Sequence, residues 1–300
     1  MHAGWKEGSL QEAFQLLANG IVIGSVIAVA AVGLSLVFGV LGLINVAHGD
    51  FLTLGAFTAL VFVGLGLPLY VAAVPAIAAG ALAMGGLEKV LWKPMRDRGT
   101  SNVNLLIISI GLALVLRHVI FWIFGARVQR FGPVSERIDF GLFALTPQDI
   151  IIVVGSAIAL IGTGLMLQKT RIGTAMRALS DNKDLAEASG INVSRVILYT
   201  WVIAGALTAY GGVLLGLQGR LFPNMGWFLL LLIFAGVILG GIGSAYGAMI
   251  GSLIIGVAQE MATHSIIGLP ADLKTAVAFL VLILVLLVRP QGIFGRRKAI

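Results

Sequence analysis

Apolar residues run almost unbroken near 19–40, 51–66, 68–87, 103–124, 148–167, 196–217, 227–242, 245–262 and 272–288. A bilayer core takes about 20 apolar residues as helix, so the pattern predicts an all-α bundle with eight or nine transmembrane spans in one domain over 1–300. The run at 51–66 is short, and L-G-L-I-N-V-A-H-G-D at 41–50 interrupts the apolar stretch ahead of it. That interruption either joins two spans or forms a broken, re-entrant element. One loop has a different character. Residues 169–196 read K-T-R-I-G-T-A-M-R-A-L-S-D-N-K-D-L-A-E-A-S-G-I-N-V-S-R-V, charged and soluble in type, between two apolar runs.

Inside this loop (169–195) the residues predict a short capped helix near 178–191. Ser180 or Asp181 can accept from its free N–H groups, and Asp184 falls in the first turn, where the dipole favours anions. Lys183 and Glu187 are spaced to pair at i and i+4. Leu185, Ala186 and Ala188 keep the helix compact, Gly190 ends it, and Ile191 follows as an exposed apolar tip. A defined helix with an apolar tip suits a docking surface for a partner; an interfacial helix that merely joins two spans is the plainer alternative.

Composition agrees with the pattern. The chain has 300 residues, 59% hydrophobic and 11% charged, with mean hydropathy +1.03, far from the roughly 25% charged content of soluble domains. The net charge of +7 does not point to nucleic acid, because the basic residues sit at the ends of apolar runs. Lys89, Lys93, Arg96 and Arg98 fall in one loop, Lys169, Arg171, Arg177, Lys183 and Arg195 in a second, and Arg289, Arg296, Arg297 and Lys298 in the tail. The remaining loops hold fewer: Arg127, Arg130, Arg137, Arg220 and Lys274. The positive-inside rule places the first three segments, and the C-terminus, in the cytoplasm of a multi-pass membrane protein. With no cysteine, disulfides and thiolate chemistry are excluded. Residues 1–19 carry Lys6, Glu7 and Glu12 before an apolar run too long for a signal-peptide core, so no cleaved signal is expected.

Several polar residues fall at membrane depth. Asn45, His48 and Asp50 come within six residues. A charge there costs on the order of 2.5–3.5 kcal/mol, so it is paired, solvated or used. They line a translocation path, or Asn45 or Asp50 caps the helix that starts after the break; the two roles can coexist. Arg117 can pair with a carboxylate such as Glu260, and His118 reads as a structural hydrogen bonder. Gly236, Gly240, Gly243, Gly247 and Gly251 give small-xxx-small spacing, which reads as close helix contact ahead of hinges. The interrupted stretches 38–49 and 236–247 stand at corresponding places in the two halves, which in transporters points to a substrate path and brings Gly240 and Gly243 beside Asn45, His48 and Asp50 as candidates. The four histidines are scattered, so no metal site is expected, and no nucleophile–base–acid set suggests an enzyme. No G-x-x-x-x-G-K-[ST] loop occurs, so ATP is not hydrolysed here. Concentrating a solute a thousandfold costs about 4 kcal/mol, and a pump built on this chain must receive that energy from a partner or an ion gradient. A docking helix suits the first, and for the second only Asp50 and Glu260 are candidate intramembrane carboxylates.

Five motifs occur in order: G-L-I-N-V-A-H-G-D (42–50), L-W-K-P-M-R-D-R (91–98), G-T-A-M-R-A-L-S-D-N-K-D-L-A-E-A-S-G-I (173–191), G-G-I-G-S-A-Y-G-A-M-I-G (240–251) and R-P-Q-G-I-F-G (289–295). Over almost the whole chain this set resembles the permease subunit of bacterial branched-chain amino acid ABC importers. The resemblance implies that the polar segment is a coupling helix seated in a groove of an ATP-hydrolysing subunit, with Ala178, Asp181, Ala186, Gly190 and Ile191 in the contact and Asp184 and Glu187 on the same segment. It implies a second, paralogous permease in a heterodimer, two ATP-binding subunits that use ATP and Mg, and a periplasmic solute-binding protein. No cofactor is expected on this chain. Relatives of this architecture carry branched-chain or other amino acids, urea or short amides, and a related ABC family carries sugars. A passive aquaporin-like channel fits less well: Asn-Val-Ala-His at 45–48 lacks the proline of the half-helix turn and has no second copy.

Overall fold

The computed structural model describes residues 2–133, 135–265 and 268–295, with the side chains of 2–9 left aside. Arg296, Arg297 and Lys298 lie outside the described residues.

The helices are α1 (His2–Leu41), α2 (His48–Gly64), α3 (Leu69–Leu87), continued by a wide turn Glu88–Trp92 into α4 (Lys93–Asp97), α5 (Asn102–Phe124), α6 (Pro147–Lys169), α7 (Arg171–Asp181), α8 (Lys183–Ala188), α9 (Val193–Leu217), α10 (Met225–Gly240), α11 (Ala245–Met261) and α12 (Lys274–Val288). A small antiparallel hairpin, β1 (Ile138–Asp139) and β2 (Ala144–Leu145), lies between α5 and α6. The nine apolar runs resolve into two classes. Six helices among the described residues are long and apolar enough to cross a membrane: Leu10–Leu41, Leu69–Asp97, Asn102–Phe124, Pro147–Lys169, Val193–Leu217 and Ala271–Val288. The other three, α2, α10 and α11, have 17, 16 and 17 residues, or roughly 25 Å of helix against a hydrocarbon core of about 30 Å. These short helices flank the interrupted stretches.

Polar caps set many of the boundaries. Ser101 accepts from Asn104 N–H at 3.3 Å to start α5. Thr146 and Asp149 form a reciprocal capping box with Pro147 as the first residue of α6, an arrangement that satisfies two otherwise orphaned donors. Ser244 accepts from Gly247 N–H at 3.0 Å to start α11.

Small residues set how closely the helices approach. Gly20 and Gly24 of α1 face Val257, Gly256 and Leu253 of α11, and Gly205 of α9 lies on Gly80 of α3. A methyl group on Gly240 would collide with the backbone of Gly247. Gly236, Gly240, Gly247 and Gly251 therefore serve the close contact of α10 with α11 that their spacing predicts. Gly243 departs from that set: it takes φ +84° in the turn between the two helices, a backbone region open to glycine at little cost. Gly240→Leu is expected to destabilise the bundle by about 1–3 kcal/mol, the usual cost of overpacking; an unchanged thermal unfolding midpoint in detergent would contradict the contact.

The bundle has two distinct ends. At one, the tip of α1, the turn 241–244, the α7–α8 segment and the tail converge: Gly39 faces both Gly243 and Ser180. Ile293 and Phe294 donate N–H groups to Leu239 and Gly240 carbonyls at 2.8 and 3.0 Å, so the R-P-Q-G-I-F-G motif closes the end of α10. Trp92 stacks on Trp201 near the start of α9, and Arg96 forks onto the buried Glu88. This is the basic end. At the opposite end Gln15 is hydrogen-bonded both ways to Ala144 of the hairpin, Gln129 pairs with Leu221, and Glu12 meets Ser265. The first turns of the α1 span therefore lie opposite the basic end.

Candidate functional site

After α1 the chain folds back into the bundle, with Val46 N–H donated to Ser109 Oγ at 3.1 Å. Asn45, His48 and Asp50 are all fully buried. Asn45 Oδ1 accepts from Ala47 N–H at 3.2 Å; the N-cap of α2 is Ala47, with no side-chain cap. The cap reading thus survives only as a turn made by Asn45 just ahead of the helix, and Asp50 is not a cap. His48 Nε2 lies 2.9 Å from Ala30 O and 3.1 Å from Thr208 Oγ1. A carbonyl only accepts, so Nε2 carries the proton. His48 Nδ1 and Asn45 Nδ2 have no partner among the described residues.

Asp50 takes a two-pronged ion pair from Arg117, Nε to Oδ1 at 2.9 Å and Nη2 to Oδ2 at 3.2 Å. The guanidinium lies over the Trp227 ring, 4.4 Å from its centre, so one cation ties α5 to α2 and α10. The expected pairing of Arg117 with Glu260 is replaced, because α5 brings Arg117 to the depth of the first turn of α2. Glu260 instead takes Lys274, at 2.7 Å. His118 bonds its own helix, Nδ1 to Leu114 O at 2.7 Å.

The polar segment is not one helix but two. Thr170 caps α7 through Gly173 N–H at 3.1 Å. Asn182, extended at φ −156°, breaks the chain and caps α8 by accepting from Leu185 N–H at 3.0 Å. The cap expected at Ser180 or Asp181 therefore belongs to Asn182, since those two are still inside α7. Gly190 ends α8 at φ +82°, where a Cβ would be strained. Gly190 and Ile191 N–H groups return to Glu187 and Ala186 carbonyls at 3.0 and 3.1 Å, a pattern that consumes orphan acceptors at a helix end.

Met176, Leu179 and Ala186 are buried against the bundle, and Ala178 is partly so. Asp181, Asp184, Glu187 and Gly190 are exposed. Ile191 is half-buried rather than an exposed tip; the large apolar side chain exposed on α8 is Leu185, at 65%. No ion pair joins Lys183 to Glu187 among the described residues. A crevice of about 300 Å³ separates the segment from the helix ends beside it, lined by Gly39, Arg177, Ser180, Asp181, Gly243 and Tyr246 among others. Of the candidate path residues, then, Gly243 faces this crevice, Gly240 is spent on Gly247, and Asn45, His48 and Asp50 are enclosed.

The opposite end holds a larger feature, built from residues far apart in the sequence. A cleft of about 880 Å³ is bounded by Asn19, Val22 and Ile23 of α1, Leu232 of α10, Gln259 and Glu260 of α11, Gln148 at the start of α6, Phe131, Ser135 and Arg137 ahead of it, and the end of α9 with Gln218. Gln259 and Glu260 form a polar pair near the end of an apolar run, but no local spacing joins them to Asn19 or Gln148.

A family model described as branched-chain amino acid transport system / permease component matches residues 16–286. The high-affinity branched-chain amino acid transport system permease protein LivH of Escherichia coli is 33% identical over 299 residues, covering 94% of this chain and 95% of that protein. BraD of Pseudomonas aeruginosa, a permease protein of the same description, is 32% identical over 298 residues with the same coverage. The ribose import permease protein RbsC of Escherichia coli is 29% identical over 244 residues, 77% of this chain and 73% of its own length.

Proposed function

The chain belongs to the permease component family of branched-chain amino acid transport systems, and from that premise we propose that it is the transmembrane permease subunit of an ATP-driven importer of branched-chain amino acids. In this reading a periplasmic protein delivers the solute, a second permease completes the pathway, and two ATP-binding subunits engage the α7–α8 segment.

The observation that carries the proposal is the build of that segment. Its two short helices are capped separately and anchored inward by Met176, Leu179 and Ala186, so that Asp184, Leu185 and Glu187 face outward on a fixed mount. A solvated linker has no need of such anchoring. The basic end, where the segment lies, is cytoplasmic by the positive-inside rule, which puts the C-terminus inside and the large cleft outside, in the cytoplasmic membrane.

Asn45, His48, Asp50, Gly240 and Gly243 stand in the same proposal as residues of the route. In the present conformation the first three are closed off; the unpartnered Asn45 Nδ2 and His48 Nδ1 are groups that a second conformation can use, since a buried polar group left unpaired costs about 1–3 kcal/mol.

The test is uptake by proteoliposomes. Assembled with the second permease, the two ATPases and the binding protein, the chain should accumulate L-leucine against its gradient only when ATP is sealed on the ATPase side. Downhill solute flux through the chain alone would replace the importer with a passive channel. Accumulation of ribose or urea in place of leucine would keep the importer and change its cargo.

A further inference from the structure

We propose that the cleft opposite the basic end is a binding site for a free aliphatic amino acid, its charged head held by the amides of Gln148 and Gln259 and its side chain laid against Val22, Ile23 and Leu232. The inference rests on the importer reading for its choice of ligand; the site itself rests on the following geometry.

Gln259 is 5% exposed, lines the cleft, and makes no side-chain hydrogen bond among the described residues. Its amide therefore opens to the cleft with both its donor and its acceptor functions available to a bound molecule. Gln148 tells a complementary story. Its Nε2 donates to Ser135 Oγ at 2.8 Å, which fixes the amide orientation, and its Oε1 is buried with no partner among the described residues. The free functions are therefore an acceptor on Gln148 and both functions on Gln259. An ammonium donates and a carboxylate accepts, so Gln148 Oε1 suits the first and Gln259 Nε2 the second.

Glu260 is paired with Lys274, whereas Asp149 accepts from the neutral donors of Thr146 in the capping box and keeps its negative charge. With Arg137 also in the lining, the cleft offers one charge of each sign without an ion-pair partner among the described residues, which suits a zwitterion better than a net cation or anion. Arg137 stands exposed at the rim, where it attracts carboxylates without binding them deeply. The wall is apolar: Val22 and Leu232 are buried, and Ile23, Leu69 and Phe131 are partly buried. A sugar would leave its ring of hydroxyls unpaired on that wall.

The site is built on rigid ground. Gly20 and Gly24 let α1 lie directly on α11, which fixes the α1 and α11 walls of the cleft against each other. The capping box fixes Gln148. The volume of about 880 Å³ falls within the roughly 300–1,000 Å³ of small-molecule sites.

The chain has no cysteine, so a single reporter can be placed at will. Gln218 is exposed at the cleft rim and takes no part in the proposed contacts. In the reconstituted complex carrying Gln218→Cys, without the binding protein, the rate of modification by a cationic methanethiosulfonate is measured against added L-leucine. Leucine should slow the reaction in a saturable way; glycine and ribose should not at equal concentration. Adding Gln259→Leu should raise the leucine concentration for half-protection about tenfold, the equivalent of one hydrogen bond to a charged group. Gln259→Asn, which keeps the amide, should fall between the two. Modification unaffected by leucine up to its solubility limit, in complexes that still accumulate leucine with ATP, overturns the site and leaves the importer standing. Protection that Gln259→Leu does not change overturns the amide assignment. Protection without any ATP-driven uptake keeps the cleft and removes the importer.

Discussion

Arg117→Leu is expected to destabilise the folded bundle by about 3–5 kcal/mol, the cost of leaving one member of a buried ion pair without its partner. Asp50 is fully buried and its carboxylate has Arg117 on both oxygens; the same guanidinium covers Trp227. Removing the cation uncouples α5 from α2 and α10 and strands a carboxylate at membrane depth. Asp50→Asn in the Arg117→Leu background should recover more than half of the loss, because a neutral amide avoids the charge penalty even though the fork is gone. Thermal unfolding in detergent, followed for the wild type, both single variants and the double variant, measures the coupling directly. A single variant that melts with the wild type would mean that the pair is incidental.

That ion pair also marks the limit of what could be read from the chain. Its two members are 67 positions apart, and hydropathy says only that each needs a partner. Glu260 is the carboxylate the sequence suggests for Arg117, and depth overturns it: α5 starts at the basic end, so Arg117 reaches the first turn of α2, while Glu260 comes at the end of α11 beside Lys274. The cleft failed to appear in the sequence for the same reason. Asn19, Gln148 and Gln259 become neighbours only because glycines let α1 and α11 touch and because Thr146 starts α6 where it does.

Local signals did better. The interruption at 41–50 and the glycine turn at 241–244 are both breaks in the structure, and Gly39, near the end of α1, faces Gly243 of the second. The charged segment is helical, is ended by Gly190, and faces outward. The error there was one of cap choice: Ser180, Asp181 and Asn182 are all good N-caps, and periodicity does not say which of three adjacent residues leaves the helix. Asn182 does so because Leu179, one turn earlier, is held in the bundle (3% exposed), while Ala186 must turn back to be buried in its turn. Where hydropathy counted spans it could not see length in space, and α2, α10 and α11 are too short to match the six longer helices.

Leu185→Glu is expected to reduce ATP-driven uptake by at least about thirtyfold while leaving insertion and thermal stability unchanged. The residue is 65% exposed on α8 and makes no use of its side chain inside the subunit, so a charge there costs the bundle nothing. It costs the proposed contact a great deal: a central apolar anchor at an interface is worth about 2–4 kcal/mol, which is roughly thirty- to a thousandfold in binding. Asn182 and Gly190 hold that side chain at a fixed angle from opposite ends of α8, and mechanical work can pass only through a mount that does not yield. Gly190→Pro should fail by the second route, since proline cannot take φ +82°, and it should weaken coupling even with Leu185 present. The pair separates contact from rigidity, because suppressing the first defect requires a compensating basic residue on the ATPase and suppressing the second does not follow from any such change. Wild-type uptake by Leu185→Glu would place the power input elsewhere on the basic end, with the crevice between Arg177, Asp181 and Gly243 as the next surface to probe.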